Sequence, residues 1–444
     1  MLKKEGKSTA WYIMMSLIMF GFIYEFYLYA FGIPSFITSS RISAIIITIV
    51  ALIKSSKKSV RDKRYLGEPR KAIRRFCWFH VPIFLYMLFL YIAIGVQGDS
   101  RHMVTILFHT FVFRILPIWA FFICIDKLDE LMKILLIATG IQTAIVWLCI
   151  TNPVIMNMID TTFHLGEMYT YRDTYAGGLG CITSQGLIRY AVGEVACVYY
   201  YYKKNNIWYI ALLLLFSLTG SMIARTGLLV AIICILFVLY YVIRRKKLSV
   251  FGPIVVSAVL ALFVTSMVLE SSSNRSFFSF RFTYMLGLFE ETETATDIYD
   301  ITFFDKYMHD INTYIPPITY KTLIGTGVPS GTSGNGVYVN VDGGFFRLYV
   351  AYGLILAVVF YVFFLVTTLR VSYSFYQKEI RYTMLLMLSL IIVGEIKEWN
   401  IYASCHVTIF FLIALLAHKE YIQKIVVKND NNYIVKKHNG YYKI

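Results

Sequence analysis

Five arginines lie at the ends of long apolar runs or in the polar intervals between them, where they could bind phosphate. They are Arg172, Arg225, Arg275, Arg281 and Arg347. A guanidinium group binds phosphate oxygens through two parallel hydrogen bonds and does not deprotonate in proteins. A charge at membrane depth is costly unless it is paired or hydrated, so each of these arginines needs a partner or a ligand. Several arginines on one face of a membrane protein would suit a diphosphate.

Arg225 has the most specific sequence context of the five. It lies in SLTGSMIARTGLL, Ser217–Leu229, between two apolar runs. Gly220 and Gly227 predict a tight turn here with the guanidinium group at its centre. The alternative is an arginine that extends from the turn to the aqueous interface and has no other role.

Two further arginines lie within apolar runs. Arg189 and Glu194 are five residues apart in the run 181–202, and their long side chains could still meet, so we expect an internal ion pair. Arg114 lies in the middle of the run 103–124, three residues before Pro117. A charge at that depth must face protein or a cavity.

Several residues in the polar intervals could transfer protons: His164, Glu167, Asp173, His309, Asp310, Asp342 and Glu395. Histidine can accept a proton from a sugar hydroxyl at neutral pH, so His309 is our candidate base, the alternative being a solvated loop histidine. The pairs Asp297 with Asp300 and Glu291 with Glu293 could hold Mg²⁺, but they lie in an interval where acids are common. The sequence has no HExxH motif and no His/Cys cluster, so we predict neither a metal nor another cofactor.

The composition requires that these residues be positioned by membrane-spanning helices. Of the 444 residues, 58% are hydrophobic and only 15% are charged, and the mean hydropathy is +0.63. These values are typical of a membrane protein rather than of soluble domains. The net charge of +16 could indicate nucleic-acid binding, but the basic residues sort by membrane side, so we expect no nucleic acid partner. The seven cysteines are singly placed without CxxC spacing, and they predict no disulfide.

Apolar runs long enough to span a bilayer recur throughout the chain, and we count twelve. They are 11–31, 36–53, 76–96, 103–124, 131–150, 181–202, 207–223, 226–243, 248–269, 345–369, 382–396 and 401–418. The first follows Lys3, Lys4 and Lys7 and resembles a signal peptide, but it is too long and has no small-residue cleavage site. We therefore predict an all-α polytopic membrane protein with about twelve transmembrane helices, the first of them retained.

Lysine and arginine accumulate in alternate intervals and in both tails, which predicts cytoplasmic N and C termini. The interval 54–75 is the most basic. The predicted organisation is nine spans within 1–269 with an outer loop at 151–180, a large external loop at 270–344, three spans within 345–418, and a cytoplasmic tail at 419–444.

The external loop 270–344 is the longest polar interval. Nine acids surround Arg275 and Arg281 in it, so these arginines stand out from their background. Apolar residues spaced three or four apart predict a short amphipathic helix over 298–310. The glycine-rich run GTGVPSGTSGNG, Gly325–Gly336, lacks the Gly-Lys-Ser/Thr of a phosphate-binding P-loop. We interpret it as a flexible lid or substrate-approach loop.

Three segments resemble the O-antigen polymerase and ligase superfamily, and in particular its Wzy-type polysaccharide polymerases. They are SMIARTGLL at 221–229, the run from LIGTG to VDGGFFRLYVAYGLIL at 323–356, and GEIKEW at 394–399. The first is similar to a Ser/Gly-rich family segment that ends in Arg-Thr-Gly before a span. Two departures are present: the paired Arg-x10-Gly motifs described for some polymerases are absent, and His309 is the only histidine of the large loop. Because ligases of the superfamily use a histidine in the large outer loop, His309 leaves the polymerase and ligase alternatives unseparated.

The resemblance implies a glycosyltransferase of the bacterial cytoplasmic (inner) membrane with its active site facing outward. It would transfer a glycan from undecaprenyl diphosphate to the non-reducing-end sugar of another lipid-linked repeat unit, without a metal, in the synthesis of O-antigen lipopolysaccharide or a capsule. Arg225, Arg281 and His309 are the expected catalytic residues. The residues expected to bind the diphosphate or the glycan are Arg172, Arg275, Asp342, Arg347 and Lys397. Membrane lipid, a chain-length regulator and a flippase are its expected partners.

Two other classes remain open at this point. An O-antigen-ligase-type transferase would use the same arginines. A lipid-linked oligosaccharide flippase would also be rich in spans, but transporters often contain internal repeats, and the two halves of this chain have none.

A metal-dependent transferase of the lipid-sugar-donor type would be expected to carry acids in its first outer loop, and residues 32–40 contain none.

Overall fold

The computed structural model describes a largely helical chain. The residues described are 7–28, 31–34, 37–56, 67–94, 102–163, 178–179, 184–223, 226–244, 318, 320–329, 331–332, 338–339, 343–397 and 400–430.

The first half of the described chain consists of helices. They are α1 (Thr9–Tyr24), α2 (Ser39–Ser56), α3 (Gly67–Ile94), α4 (Met103–Thr110), a π-helix (Phe111–Ile115), α5 (Leu116–Cys124), α6 (Leu128–Thr151), α7 (Pro153–Phe163), α8 (Ser184–Lys204), α9 (Trp208–Ile223) and α10 (Thr226–Arg244).

The second half adds a short hairpin to the helices. Its elements are α11 (Tyr320–Ile324), β1 (Gly331–Thr332), β2 (Tyr338–Val339), α12 (Gly344–Tyr352), α13 (Leu354–Tyr373), α14 (Lys378–Lys397), α15 (Asn400–Ala403) and α16 (His406–Asp430). The two strands pair antiparallel. The predicted amphipathic helix at 298–310 and the predicted span at 248–269 lie outside the described residues.

The helices bear out the prediction of an all-α membrane protein. Within the described residues, four stretches are long and apolar enough to cross a membrane: Gly67–Ala93, Met103–Cys124, Leu128–Thr151 and Leu354–Tyr373. Shorter apolar helices occur at Thr9–Tyr24, Trp208–Ser221 and Leu229–Arg244. The count of twelve spans and their orientation stay predictions.

One predicted span is interrupted by a glycine. The run 345–369 forms α12 and α13, which are separated at Gly353, where φ is +82°. This conformation favours glycine because it has no Cβ. A Cβ on Gly353 would lie 2.2 Å from the carbonyl oxygen of Leu323. The break therefore lets the segment that precedes the hairpin pack closely against the start of α13.

A second predicted span changes its helical geometry around an arginine. The run 103–124 contains the π-helix, in which the N–H of Leu116 donates to the carbonyl oxygen of Phe111. Pro117 follows directly and has no N–H to donate, so it disfavours a regular α-helical turn at this point. Single π-turns are frequent at functional sites. This one contains Arg114.

Helix α8 lies in the interior of the bundle. It packs against α6, α9, α10 and α14, and less extensively against α1 and α16. Its residues from Tyr190 to Tyr202 are buried. A helix that is enclosed by other helices can hold polar groups away from lipid, because its neighbours supply their partners.

A cluster of lysines and acids joins one end of the bundle. Lys7, Lys54 and Lys419 lie 3.0, 4.0 and 3.4 Å from Asp126 carboxylate oxygens, and Lys7 also pairs with Glu130 at 2.6 Å. Partial burial raises the pKa of Asp126, but the hydrogen bond and charge of Lys7, together with the charges of Lys419 and Lys54, outweigh it and lower the pKa to about 2. This end contains the beginning of α1 and the end of α2.

Replacement of Asp126 by asparagine is expected to lower the stability modestly. Its side chain is one-third exposed, so solvent screening limits the loss to about 1 kcal/mol or less. Because the folded-state pKa is depressed, the contribution is complete above the ordinary value of 3.8 and is lost as the pH falls through about 2. The melting temperatures of wild type and Asp126→Asn in detergent should differ at pH 7 and converge on acidification. A gap that widened in acid would contradict the assignment.

Candidate functional site

Most of the arginines and acids predicted for the site lie outside the described residues. Arg172, Arg225, Arg275, Arg281, His309 and Asp342 belong to this group. Arg347 lies in the first turn of α12, and Lys397 is the last residue of α14. The described polar groups that come together are largely different ones.

Two arginines from separate elements meet at one carboxylate. Arg114 of the π-helix and Arg189 of α8 each donate to Oε2 of Glu25, at 2.9 and 3.1 Å. The side chains of Arg114 and Arg189 are only 11% and 7% exposed. The two guanidinium groups are therefore neighbours, and both are largely shielded from solvent.

The predicted ion pair between Arg189 and Glu194 is wrong. Arg189 pairs with Glu25, which directly follows α1, while Oε2 of Glu194 has no hydrogen-bond partner among the described residues. Residues five apart on a helix lie on different faces, so Arg189 faces the α1–α2 connection instead. The expectation that Arg114 faces protein is confirmed, since it bonds Glu25 and the hydroxyl of Ser40.

The connection between α1 and α2 holds Glu25 in place. Thr38 donates to Oε1 of Glu25 at 3.1 Å. Tyr27 and Thr38 form an antiparallel bridge, and the Ser39 hydroxyl joins the N–H of Phe26 to the carbonyl oxygen of Gly21. Glu25 has a φ of +26°, which is uncommon for a residue with a side chain. The carboxylate is thus fixed by the backbone as well as by its partners.

A further arginine lies at the start of α2. Arg41, in the first turn of α2, is 3.4 Å from Nδ1 of His109 in α4, and its guanidinium group lies over the ring of Phe113. We call Glu25, Arg114 and Arg189 the arginine cluster.

A second polar centre is built around Glu395, near the end of α14. Its side chain accepts hydrogen bonds from the hydroxyl of Tyr361 at 2.8 Å and from the N–H groups of Asn400 and Ile401 at 2.8 and 2.7 Å. The carboxylate thereby caps the first turn of α15. A Cβ on Gly344 would lie 2.2 Å from Oε1 of Glu395, so the first turn of α12 also abuts this group.

This centre joins two of the sequence segments singled out above. The glycines that follow Asp342 contact the GEIKEW segment: a Cβ on Gly343 would lie 2.9 Å from the carbonyl oxygen of Ile396. The charge of Arg347 also acts on Glu395. Glycine is needed here because a side chain would prevent the close approach. Gly344 and Glu395, 51 residues apart in sequence, therefore bring the two segments into one corner of the structure.

The first part of the glycine-rich run is packed, contrary to the prediction of a flexible lid. The N–H groups of Thr326 and Gly327 donate to the carbonyl oxygens of Val350 and Ala351, at 2.9 and 3.0 Å, and Met103 donates to Gly327 at 2.8 Å. These bonds join the segment to α12 and to the start of α4. Residues 333–337, within the hairpin, lie outside the described residues.

A buried chain of hydrogen bonds runs between α12, α15 and α3. The hydroxyl of Tyr352 lies 2.7 Å from that of Tyr402, which lies 3.1 Å from Nε2 of His80. The other ring nitrogen of His80 is 2.7 Å from the carbonyl oxygen of Phe76. A carbonyl can only accept, so Nδ1 carries the proton and Nε2 accepts from Tyr402. This chain fixes the position of α15.

The short α15 and the start of α16 connect the two polar centres. Thr408, in the first turn of α16, donates to the carbonyl oxygen of Arg114 at 2.7 Å. Asn400 and Tyr402 belong to the polar centre around Glu395. In the stretch of chain that leads from Tyr402 to Thr408, Ser404 contacts His406. Because Lys419 of α16 lies in the lysine cluster, both polar centres lie toward the opposite end of the bundle.

No protein-family model, curated protein or solved structure matches this chain. In the part of the chain that the structure describes, no group of three or more His, Cys, Asp or Glu side chains is arranged to hold a metal ion. The acidic pairs at 291–293 and 297–300 lie outside that part.

Sequence reasoning missed Glu25 as the centre of the arginine cluster. The signal was present, because an acid in the apolar run 11–31 is as costly as an arginine and needs a cation partner. His80, Tyr352 and Tyr402 were also missed. Their residue types are common in apolar helices, and no spacing marks them as a connected chain.

Proposed function

We propose that this chain is a polysaccharide polymerase that transfers a glycan from undecaprenyl diphosphate to the non-reducing-end sugar of another lipid-linked repeat unit. The observation that supports it best is the meeting of Arg114 and Arg189 at one oxygen of Glu25. Each guanidinium group can bind phosphate oxygens through two parallel hydrogen bonds, and two such groups side by side suit a diphosphate. The similarity of three sequence segments to Wzy-type polymerases points to the same substrate.

The arginine cluster suits the leaving group of such a transfer. When the bond between the glycan and the diphosphate breaks, negative charge grows on the diphosphate oxygens. Preorganised cations in a site shielded from water stabilise that charge more in the transition state than in the ground state. In this proposal Glu25 holds the guanidinium groups of Arg114 and Arg189 together before substrate binds. Arg225, Arg281, Arg172 and Arg275 would complete the diphosphate site from the turns and loops.

The Glu395 corner would position the acceptor side of the site. Glu395 binds the first turn of α15 and abuts the first turn of α12. It would act as a positioning residue, since both of its carboxylate oxygens already accept hydrogen bonds from Tyr361, Asn400 and Ile401. Arg347, Asp342 and Lys397, which belong to the segments joined here, would contact the glycan, and His309 would accept the hydroxyl proton.

The proposed setting is the bacterial cytoplasmic membrane, with about twelve spans and both termini in the cytoplasm. The lysine cluster of Lys7, Lys54 and Lys419 supports this orientation, because basic residues accumulate on the cytoplasmic side. The arginine cluster lies toward the opposite end of α1, which would face outward. A flippase and a chain-length regulator would be its partners.

The test is glycan synthesis by purified protein supplied with lipid-diphosphate-linked repeat units. We expect a ladder of longer glycans in the presence of EDTA. Arg189→Gln and Arg225→Ala should each reduce its rate by about a hundredfold, as for other groups that stabilise transition-state charge. The matched control is Arg244→Gln, since Arg244 is exposed at the far end of α10. Circular dichroism should establish that each variant is folded.

The other outcomes separate the competing functions. A ladder unaffected by Arg189→Gln, Arg225→Ala and Arg281→Ala would contradict the diphosphate role of these arginines. Loss in EDTA with rescue by Mg²⁺ would favour the acidic pairs of the external loop as a metal site. Transfer of finished chains to a second lipid, without elongation, would favour the ligase. Repeat units retained on the inner leaflet of a deletion strain, with unchanged chain length, would favour the flippase.

A further inference from the structure

Glu194 is a buried acid that forms no ion pair with the residues that the structure describes. It lies near the middle of α8 and is 1% exposed. Its neighbour Gly193 packs directly against Thr139 of α6, so the helices are close together here. Arg189, five residues earlier, binds Glu25. Intramembrane acids in such positions are rare, and they frequently belong to proton relays or ion pathways.

The surroundings of the Glu194 carboxyl group are polar but uncharged. The hydroxyl of Ser217 in α9 and the thiol of Cys234 in α10 face it, and Cys197 lies one turn along α8. Helices α1, α6, α9, α10, α14 and α16 pack against α8, and among their described residues no lysine, arginine or histidine has an electrostatic interaction with this carboxyl group. Within this described part of the bundle, the titratable groups that face it are the thiols of Cys197 and Cys234.

Two buried oxygens in this place lack well-formed hydrogen bonds. Neither Oε2 of Glu194 nor Oγ of Ser217 makes one among the described residues, although the two side chains face each other and Ser217 is only 5% exposed. An ionised carboxylate here would bury a charge with only a hydroxyl and a thiol to stabilise it, which is strongly unfavourable. A neutral carboxylic acid needs only one acceptor for its O–H, and the hydroxyl of Ser217 can supply it.

We propose that Glu194 and Ser217 form a proton-binding site in the interior of the bundle, where Glu194 is a neutral acid that donates to Ser217. The structure contains a direct contrast. Glu25 is also surrounded by protein, but two guanidinium groups and Thr38 bind its oxygens, so it carries its charge. The protein therefore holds one acid ionised and the other protonated, and Arg189, which binds the ionised one, lies about one and a half helical turns from Glu194 along α8.

Release of this proton would act on the helices that enclose it. The negative charge would separate α8 from α9 and α10 or admit water to the site, because it cannot be neutralised locally. The protein should therefore lose stability and activity reversibly as the pH is raised. This dependence does not rest on the polymerase assignment and would hold for any function of the bundle.

Infrared spectroscopy of the full chain in lipid tests the protonation state directly. A protonated carboxylic acid has a carbonyl stretching band that an ionised carboxylate lacks. The wild-type spectrum at neutral pH, minus that of Glu194→Gln, should contain this band, with a shift in D₂O. Glu130→Gln is the matched control, because Glu130 pairs with Lys7 and should contribute no such band. Absence of the band from wild type, or its loss in Glu130→Gln, would overturn the proposal.

Two further measurements keep the proposal testable if Glu194→Gln does not fold. Ser217→Ala should retain the band but move it to higher frequency, because the acid would lose its acceptor, and an unchanged band would exclude Ser217 as the partner. Melting temperatures from pH 7 to pH 10 should fall reversibly for wild type and much less for Glu194→Gln. Equal pH dependence of the two proteins would contradict the site.

Discussion

Replacement of Glu25 by glutamine is expected to lower the free energy of unfolding by about 3 to 5 kcal/mol. Glu25 is the common partner of Arg114 and Arg189, and their side chains are largely buried. Glutamine keeps the shape of the side chain and one carbonyl acceptor but removes the charge. Two guanidinium groups would then lie close together without the carboxylate that separates them. Denaturant or thermal unfolding of purified protein in detergent measures the loss.

The matched control for this prediction is Glu68→Gln. Glu68 also has two basic partners, Lys71 at 3.0 Å and Arg75 at 3.8 Å, but its side chain is 42% exposed. Exposed pairs contribute about 1 kcal/mol or less because solvent screens them. If Glu25→Gln destabilised the protein no more than Glu68→Gln does, the arginine cluster would not be a buried electrostatic centre.

The same variant connects the stability of the cluster to its proposed ligand. If Arg114 and Arg189 bind a diphosphate, a lipid diphosphate should restore part of the stability that Glu25→Gln loses, because the anion would take the place of the carboxylate. Farnesyl diphosphate is a soluble probe for this experiment, and farnesol is its uncharged control. Stabilisation by farnesol alone would indicate binding of the prenyl chain without recognition of the diphosphate.

The helical class followed from the sequence because apolar length is a local property. The runs 103–124 and 131–150 correspond to described stretches Met103–Cys124 and Leu128–Thr151 that are long enough to span a membrane. The burial of Arg114 followed from the same reasoning, since a charge in the middle of an apolar run cannot face lipid. Neither inference needed knowledge of which helices are neighbours.

Partners could not be predicted in this way, because pairing is a property of the fold. Arg189 binds Glu25, 164 positions away, rather than Glu194 on its own helix. Local spacing favoured Glu194 only because no other acid was near in sequence. The joining of Gly344 with Glu395 was missed for the same reason, although both segments had been singled out separately. A single sequence carries no record of such long-range contacts.

The break at Gly353 is a further feature that periodicity could not reveal, because apolar residues continue on both sides of it. Replacement of Gly353 by alanine is expected to prevent stable folding or to lower the unfolding free energy by several kcal/mol. Its φ of +82° is unfavourable for alanine, and the added Cβ would meet backbone atoms of Leu323 and Ile324 that cannot rotate away. The packing of α11 and of the start of the glycine-rich run against α12 would be lost.

The control for Gly353→Ala is Gly140→Ala in the middle of α6. A Cβ on Gly140 would meet no atom within 4 Å, and its backbone is helical. Alanine is favoured over glycine inside a helix by about 0.5 to 1 kcal/mol, so this variant should be neutral or slightly stabilised. The measurements are the yield of monodisperse protein and the melting temperature in detergent, each compared between Gly353→Ala and Gly140→Ala. Equal behaviour would mean that α12 and α13 form one continuous helix, with the segment from Leu323 to Gly327 displaced from the bundle.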